Sequence, residues 1–377
     1  MKYRNFGNTG EKVSILGFGG GRLPEKEING VMQPCQDKID EMVKQAYEKG
    51  INYFDTAPLY CSCRCEEAIG HAVRGFRKQI KIAGKIQGED SQKNFYFQAL
   101  EKSLENLNTD YIDYYHFWGI GKGFFDEVIV KNDLLRQAYR AKEQRMIRHV
   151  SFSFHGEPQE MKYIIDKAEA LGYPFESVLL QYNLLDRTNE TVLQYASEKG
   201  LGTAIMGPVG GGRLAVPTTL CEKLTGRTSE ATYALALRFV LGNPNVSCAL
   251  SGVEHTAMVR ENIAIAESCT ENAAEEWNKL KTAVEELKKF SELYCTGCKY
   301  CQPCPADIRI HEIFEFYTHY NVYGLTEYAR QEYAEYLKKG KKTCADCMDC
   351  GRCEEKCPQK LAVRKHLKQV DHILRGE

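Results

Sequence analysis

Between about residue 12 and residue 268 the chain alternates short, almost wholly apolar runs with longer stretches whose apolar positions return every three or four residues. The first pattern marks strands buried on both faces, and the second marks helices with one apolar side. The runs SILGFG (14–19), NYFDT (52–56), KIAGK (81–85), YIDYYHF (111–117), HVSFS (149–153), SVLLQY (177–182), GTAIM (202–206) and VSCAL (246–250) predict eight strands. DKIDEMVKQAYEKG (37–50) and QKNFYFQALEKSLENL (92–107) predict two of the helices between them. Eight strand–helix repeats over this length predict a (β/α)8 barrel. The alternative, a doubly wound open sheet, expects G-x-G-x-x-G after its first strand, and GFGGGRLP (17–24) fits that spacing poorly. The opening KYRNFGNTGEKVSIL (2–16) predicts a hairpin that closes the bottom of the barrel, and 271–291 predict one more helix, rich in Glu and Lys.

The cysteines change the picture. There are sixteen, and nine of them lie from Cys295 to Cys357. That concentration predicts a second domain, with boundaries of 1–290 and 291–377. A chain read as cytoplasmic holds its thiols reduced, so clustered cysteines point to metal. CADCMDCGRCEEKCP (344–358) contains C-x2-C-x2-C-x3-C-P at Cys347, Cys350, Cys353 and Cys357, the bacterial ferredoxin run. CTGCKYCQPCP (295–305) is the same run one residue short, at Cys295, Cys298, Cys301 and Cys304. In two-cluster ferredoxins the fourth cysteine of each run serves the other cluster. One [4Fe–4S] cluster is therefore expected on Cys295, Cys298, Cys301 and Cys357, and a second on Cys347, Cys350, Cys353 and Cys304. The 39 residues between the runs are tyrosine-rich and helix-like, so the tail resembles an α-helical ferredoxin. A pair of zinc sites, the alternative, prefers separated C-x2-C pairs without the two Cys-Pro endings.

Charge and hydropathy exclude some partners. Fifty basic and 51 acidic residues leave a formal charge of −1, which gives no electrostatic reason to bind nucleic acid or an anionic membrane surface. No apolar run approaches the roughly 20 residues of a spanning helix, and the N-terminus has no signal-peptide pattern. A cytoplasmic protein is expected.

The barrel half resembles the aldo-keto reductases. MKYRNFGNTGEKVSILGFGG (1–20) looks like that family's opening hairpin and first strand, NYFDTAPLY (52–60) carries its aspartate and tyrosine, ALEKSLENLNTDYIDYY (99–115) matches a helix and the next strand, and QYNLLDR (181–187) and Glu261-Asn262 match late cofactor-side motifs. The resemblance implies an oxidoreductase acting on a carbonyl or alcohol of a small molecule. It implies Tyr60 as acid and base, Lys85 as its partner, Asp55 as the lysine's counter-charge, and a tyrosine pKa lowered from its ordinary value near 10. It implies NADP(H) held by Ser153, Gln181, Gly211, Glu261 and Asn262, with the glycine run at 210–212 where such barrels take phosphate.

The sequence also departs from that pattern. The family's histidine position holds Trp118, with His116 two residues earlier on the same strand face and His155 at the end of the next strand. His116 is the expected catalytic histidine, with a core residue as the alternative, in which case His155 could take its place. Phe154 replaces an asparagine, Met206 replaces a stacking aromatic, and the only basic residues near the place where a 2′-phosphate is read, His255 and Arg260, stand at different positions from the family's. Trp118, Phe117, Phe124 and Phe125 are candidates to line a pocket for a ring-shaped substrate, and GKGFF reads equally as a partly buried loop.

Two further readings follow from the cofactors. Nicotinamide moves a hydride, an iron–sulfur cluster one electron, and joining them normally needs a flavin or a radical step. The chain has no flavin domain of its own. One alternative is thus an anaerobic, electron-driven enzyme fed by a ferredoxin or another electron donor, with a flavin or a third cluster in place of hydride transfer. In DTAPLYCSCRC (55–65), Cys61, Cys63 and Cys65 follow Tyr60 on one catalytic-face loop and Cys35 lies on another. In an extended segment, alternate residues share a face, so Cys35, Cys61, Cys63 and Cys65 are the candidate ligands of that third cluster. The other alternative is a non-catalytic electron-transfer or redox-sensing subunit, against which Asp55, Tyr60 and Lys85 argue together. Cys221, Cys248 and Cys269 are scattered and read as structural.

Overall fold

The computed structural model describes residues 1–86, 95–215, 219–226, 231–269, 273–289, 293, 295, 297, 299–357 and 360–376, with only the backbone of residues 213, 288 and 289. Cys298 and the first residues of the helix expected at 92–107 lie outside that set. The strands run β1 (Tyr3–Asn5), β2 (Lys12–Ser14), β3 (Leu16–Gly19), β4 (Glu25–Ile28), β5 (Val31–Pro34), β6 (Tyr53–Asp55), β7 (Lys81–Ile86), β8 (Ile112–Phe117), β9 (Ile147–Phe154), β10 (Ser177–Gln181), β11 (Gly202–Met206) and β12 (Cys248–Gly252). Eight of them close a parallel barrel in the order β10-β11-β12-β3-β6-β7-β8-β9, and these are the eight expected strands. The helices that follow them include α1 (Gln36–Glu48), α2 (Cys65–Ala72) and α3 (Phe95–Leu107).

The chain groups into two compact units, residues 1–211 with 236–277, and residues 212–235 with 278–377. In the first, β1 and β2 pair antiparallel, and the residue after β1, Phe6, is wholly buried at the foot of the barrel. Its ring meets Tyr114 edge-on at 4.8 Å and Tyr53 at 5.4 Å. Phe6, Tyr53, Ala83, Tyr114, Leu179, Ala204, Cys248 and Leu250 form one packed layer inside the barrel. Gly17 belongs to that layer because a side chain there would meet Leu250, Cys248 and the Tyr53 carbonyl at 2.7–3.3 Å. Side chains alternate along a strand, so two residues further on each strand the chain presents Asp55, Lys85, His116, Gln181 and Met206 to the next layer up. The β7–β8 register sets Lys85 beside His116, and the β10–β11 register sets Gln181 beside Met206. An apolar floor with a polar layer above it, at the C-terminal ends of the strands, is where barrels of this class place their chemistry.

In the second unit, helices at Ile310–Asn321, Thr326–Lys338 and Val363–Arg375 pack a core of Ile310, Ile313, Phe314, Tyr333, Leu367 and Val370, against which Cys295, Cys301, Cys304, Cys347, Cys353 and Cys357 lie partly buried. The inter-run segment is helical, as the sequence leads one to expect.

Candidate active site and cysteine-rich module

Asp55 ends β6 and Lys85 lies near the end of β7, and both side chains face the barrel interior. Lys85 Nζ donates to Asp55 Oδ2 at 2.6 Å and to the Thr56 carbonyl at 3.0 Å. Burial raises the Asp55 carboxyl, and the Lys85 charge pulls it back. Burial works against the Lys85 ammonium, but Asp55 and Tyr60 outweigh it and hold its pKa above the ordinary value. Tyr60 sits in the loop after β6, half-buried, with the Lys85 ammonium 4.7 Å from its ring centroid. Burial pushes the phenol up, the Asp55 carboxylate pushes the same way, and Lys85 pulls it down. The net direction is upward, so the lowered tyrosine that the family resemblance implies is not what this geometry gives. Desolvation of the phenol and the nearby Asp55 carboxylate together outweigh the Lys85 cation. Tyr60 is therefore a protonated phenol at neutral pH, with the Lys85 ammonium held against its ring.

The rim above is built from Trp118 and His155. Trp118 meets Tyr60 edge-on, with centroids 5.7 Å apart. His155 keeps part of its side chain in solvent and lies 3.9 Å from the position a side chain would take on Gly119; partial desolvation by the surrounding chain and the Lys85 charge lower its pKa. His116 is fully buried in the Lys85 layer. Its Nδ1 lies 3.2 Å from the Gly84 carbonyl, which can only accept, so Nδ1 carries the proton and Nε2 is a bare acceptor. Nε2 has no partner among the described residues, and burial with the Lys85 charge depresses His116 to about 3. Phe117 and Phe125 pack on Phe175 in the core and not on this rim.

On the far side of the mouth, Ser153 Oγ accepts from the Gly119 N–H at 2.8 Å, which ties β9 to the loop after β8. Asn262 donates to Ser251 Oγ at 2.7 Å. The Gln181 amide lies over Gly207, where a Cβ would come within 2.5 Å of it. Glu261 is exposed. Gly210 and Gly211 have φ of +58° and +67°, the left-handed region that only glycine adopts freely. The structure adds Arg22, which sequence reasoning missed. Its guanidinium donates to the Gly211 carbonyl at 2.6 Å, its stem crosses Gly252, and it lies 3.7 Å from Glu254. The only signal for it was a basic residue directly after the glycines of the first strand. Backbone donors in left-handed turns, a guanidinium and two amides fit the phosphates and amide edge of a dinucleotide.

Of the four cysteines on this face, the structure brings together Cys61 and Cys65. Both sulfurs lie on the Gly20 carbonyl, at 3.4 and 3.3 Å. Cys63, between them, is exposed, and Cys35 precedes α1 with its N–H bonded to the Pro24 carbonyl. The expectation of one extended, one-faced segment does not hold: Cys61, Ser62 and Cys63 all have positive φ, so the chain turns where it was read as extended. Among the described residues no three potential ligands stand within reach of one ion, in either unit.

In the cysteine-rich unit a small cavity is lined by Cys301, Cys304, Cys347, Cys350 and Cys353. Four of these are the set expected for the second cluster, with Cys304 supplied by the other run. Thiols from two separate runs around one void fit an iron–sulfur cluster. Of the set expected for the first cluster, Cys295, Cys301 and Cys357 are partly buried in the same core and Cys298 lies outside the described residues.

Comparison with known proteins agrees with both halves. The sequence model of the aldo/keto reductase family matches residues 15–285, and that of the 4Fe-4S dicluster domain matches residues 294–363. L-galactose dehydrogenase of Arabidopsis thaliana is 26% identical over 288 residues, covering 70% of this chain and 88% of the relative. The uncharacterized oxidoreductase YqkF of Bacillus subtilis is 25% identical, covering 71% of this chain and 91% of the relative. The aldo-keto reductase AKR11C1 from Bacillus halodurans, in its holo form, superposes with a TM-score of 0.63 at 28% identity, over 75% of this chain and 96% of that one.

Proposed function

The chain belongs to the aldo/keto reductase family and carries a 4Fe-4S dicluster domain, and from that premise we propose an oxidoreductase that interconverts a carbonyl and an alcohol of a small molecule, with Tyr60 exchanging the proton. The observation that carries this reading is the buried Lys85–Asp55 pair under the Tyr60 ring. A lysine ammonium is held at the centre of an apolar barrel only with its charge matched, and this one is aimed at a phenol. In reduction Tyr60 donates its proton to the substrate oxygen, and Lys85 stabilises the phenolate left behind. Asp55 touches neither substrate nor proton, and it keeps Lys85 charged and in position. Trp118 and His155 bound the space in which the substrate oxygen approaches Tyr60. His116, without contact to the rim, supports Lys85's layer as a neutral imidazole.

Ser153, Gln181, Gly211, Glu261 and Asn262, together with Arg22, are the residues assigned to hold a nicotinamide dinucleotide, which when bound supplies the hydride. Cys295, Cys298, Cys301 and Cys357 would hold one [4Fe–4S] cluster and Cys304, Cys347, Cys350 and Cys353 the other; the clusters supply one-electron transfer. The name L-galactose dehydrogenase, borne by a relative, makes sugars and sugar alcohols the first compounds to try. No helix among the described residues is long and apolar enough to cross a membrane.

One observation keeps the electron-driven alternative in view: Trp118, whose indole cannot accept or exchange a proton as a histidine does from the family's place, faces Tyr60. The discriminating experiment follows NADPH oxidation anaerobically with a panel of aldehydes, ketones and sugars, in wild type and Tyr60→Phe. Hydride chemistry at Tyr60 predicts turnover lost in the variant. Turnover driven by a reduced ferredoxin with no NADPH consumption on any substrate would favour the alternative.

A further inference from the structure

We propose that Cys61 and Cys65 form a dithiol that a low-molecular-weight disulfide closes into an intramolecular disulfide, a modification site on the turn that carries Tyr60. The two sulfurs share one acceptor, the Gly20 carbonyl, at 3.4 and 3.3 Å, and Thr56 Oγ1 donates to Cys65 Sγ at 3.2 Å. They are brought together by an unusual backbone. Cys61, Ser62 and Cys63 have φ of 50°, 50° and 65°, and none is glycine. Left-handed backbone is unfavourable for a residue with a Cβ, because the Cβ crowds the following carbonyl oxygen. The turn is closed by the Arg64 N–H on the Cys61 carbonyl at 2.9 Å and by the Cys65 N–H on the Tyr60 carbonyl at 3.2 Å. Its product is that residues four apart in sequence bring their sulfurs to one carbonyl oxygen, while Cys63 is turned out to water.

Exposure orders the two thiols. Cys61 is 8% exposed and Cys65 is not exposed at all, so an external disulfide reaches Cys61 first. The Cys61 thiolate attacks one sulfur of R–S–S–R, the reagent's sulfur–sulfur bond breaks, and the first thiolate leaves with the proton given up by Cys61. Cys65 then loses its proton and attacks Cys61 Sγ, the mixed disulfide breaks, and the second thiolate leaves as a thiol. Two protein thiols are oxidised by two electrons, and one external disulfide is reduced to two thiols. No group outside the pair and the reagent is required.

The test uses the full-length protein, purified without oxygen, with its cluster absorbance followed throughout. Wild type, Cys61→Ser, Cys63→Ser and Cys65→Ser are exposed to glutathione disulfide, alkylated under denaturing conditions and mapped by peptide mass. Wild type and the Cys63 variant should lose alkylation at Cys61 and Cys65 together, with the peptide lighter by two hydrogens. The Cys65 variant should trap a glutathione adduct on Cys61, and the Cys61 variant should leave Cys65 alkylatable. Alkylation of both residues in exposed wild type, a disulfide that uses Cys63, or a Cys65 variant without adduct would each overturn the assignment. So would iron bound to these thiols before exposure.

Discussion

Lys85 and Asp55 form an ion pair of 2.6 Å with 1% and 5% of their side chains exposed, in a layer otherwise filled by strand residues of the barrel. Desolvating two charges is expensive, and removing one partner leaves the other buried alone. Asp55→Asn should therefore destabilise the protein by roughly 3–5 kcal/mol, and the double variant Asp55→Asn with Lys85→Met should lose less than Asp55→Asn alone. Urea midpoints at constant slope give the three values. A cost for Asp55→Asn within experimental error of zero would mean the pair is not what holds Lys85.

The upward direction of the Tyr60 pKa fixes the sign of the pH profile. Reduction needs the protonated phenol, so kcat/KM for a carbonyl substrate should stay level through neutral pH and fall only as pH rises above the ordinary tyrosine value near 10. Oxidation of the alcohol needs the phenolate and should climb over the same range. Tyr60→Phe should cost both directions about 10²–10⁴-fold. Lys85→Met removes the one influence that pulls Tyr60 down, so its residual oxidation should need a still higher pH.

His116 makes a second pH prediction, in stability. Its folded pKa is about 3 against 6.5 for an exposed histidine, so between those values the unfolded chain binds the extra proton. Its contribution is fully present above pH 6.5 and is lost as pH falls toward 3. From pH 6.5 to pH 5 that is about 2 kcal/mol. Denaturation curves at the two pH values should show wild type losing about that much more than His116→Leu. Equal losses in the two proteins would show that His116 does not bind a proton on unfolding.

Arg22 offers a cleaner probe of the cofactor side because its side chain is half exposed and its ion pair with Glu254 is long. Such a pair adds little stability, about 0–1 kcal/mol. Arg22→Met should leave the melting temperature nearly unchanged, raise KM for NADPH about tenfold and move kcat little, since a contact made equally before and during hydride transfer affects binding alone. A fall in kcat at unchanged KM would place Arg22 elsewhere in the cycle.

What could be read from the sequence followed from burial. The eight barrel strands are apolar on both faces, and runs such as VSCAL (246–250) fall within two residues of the strand found, Cys248–Gly252. The β4–β5 hairpin escaped because it has no buried face: Ile28, Val31 and Met32 are all exposed, so no alternation betrays it. Asn29 and Gly30, both at positive φ, were its one local signal. Asp55, Tyr60 and Lys85 could be picked out through the family resemblance, and strand alternation explains why they meet. The Cys61–Cys65 pairing could not, because three left-handed non-glycine residues are a tertiary outcome that no propensity encodes. Arg22 was missed for a similar reason: its partner, Gly211, is remote in sequence and meets it only when the barrel closes.

The crossing of ligands between the two cysteine runs is the feature of the tail that a count of iron alone does not test. The cavity lined by Cys304 with Cys347, Cys350 and Cys353 supports the exchange of the fourth ligand, but Cys301 also reaches it, so adjacency is not enough. Pairs of serine substitutions separate the arrangements. If Cys304 serves the same cluster as Cys350, then Cys304→Ser with Cys350→Ser removes two ligands from one cluster and spares the other, leaving about 4 of ~8 iron atoms per chain. Cys301→Ser with Cys350→Ser strikes both clusters and should leave little iron. If each run instead holds its own cluster, both pairs strike both clusters and the two proteins should lose iron alike. Wild type with ~12 iron atoms would add a cluster outside the tail, and the Cys61 and Cys65 thiols would be the first place to look for it.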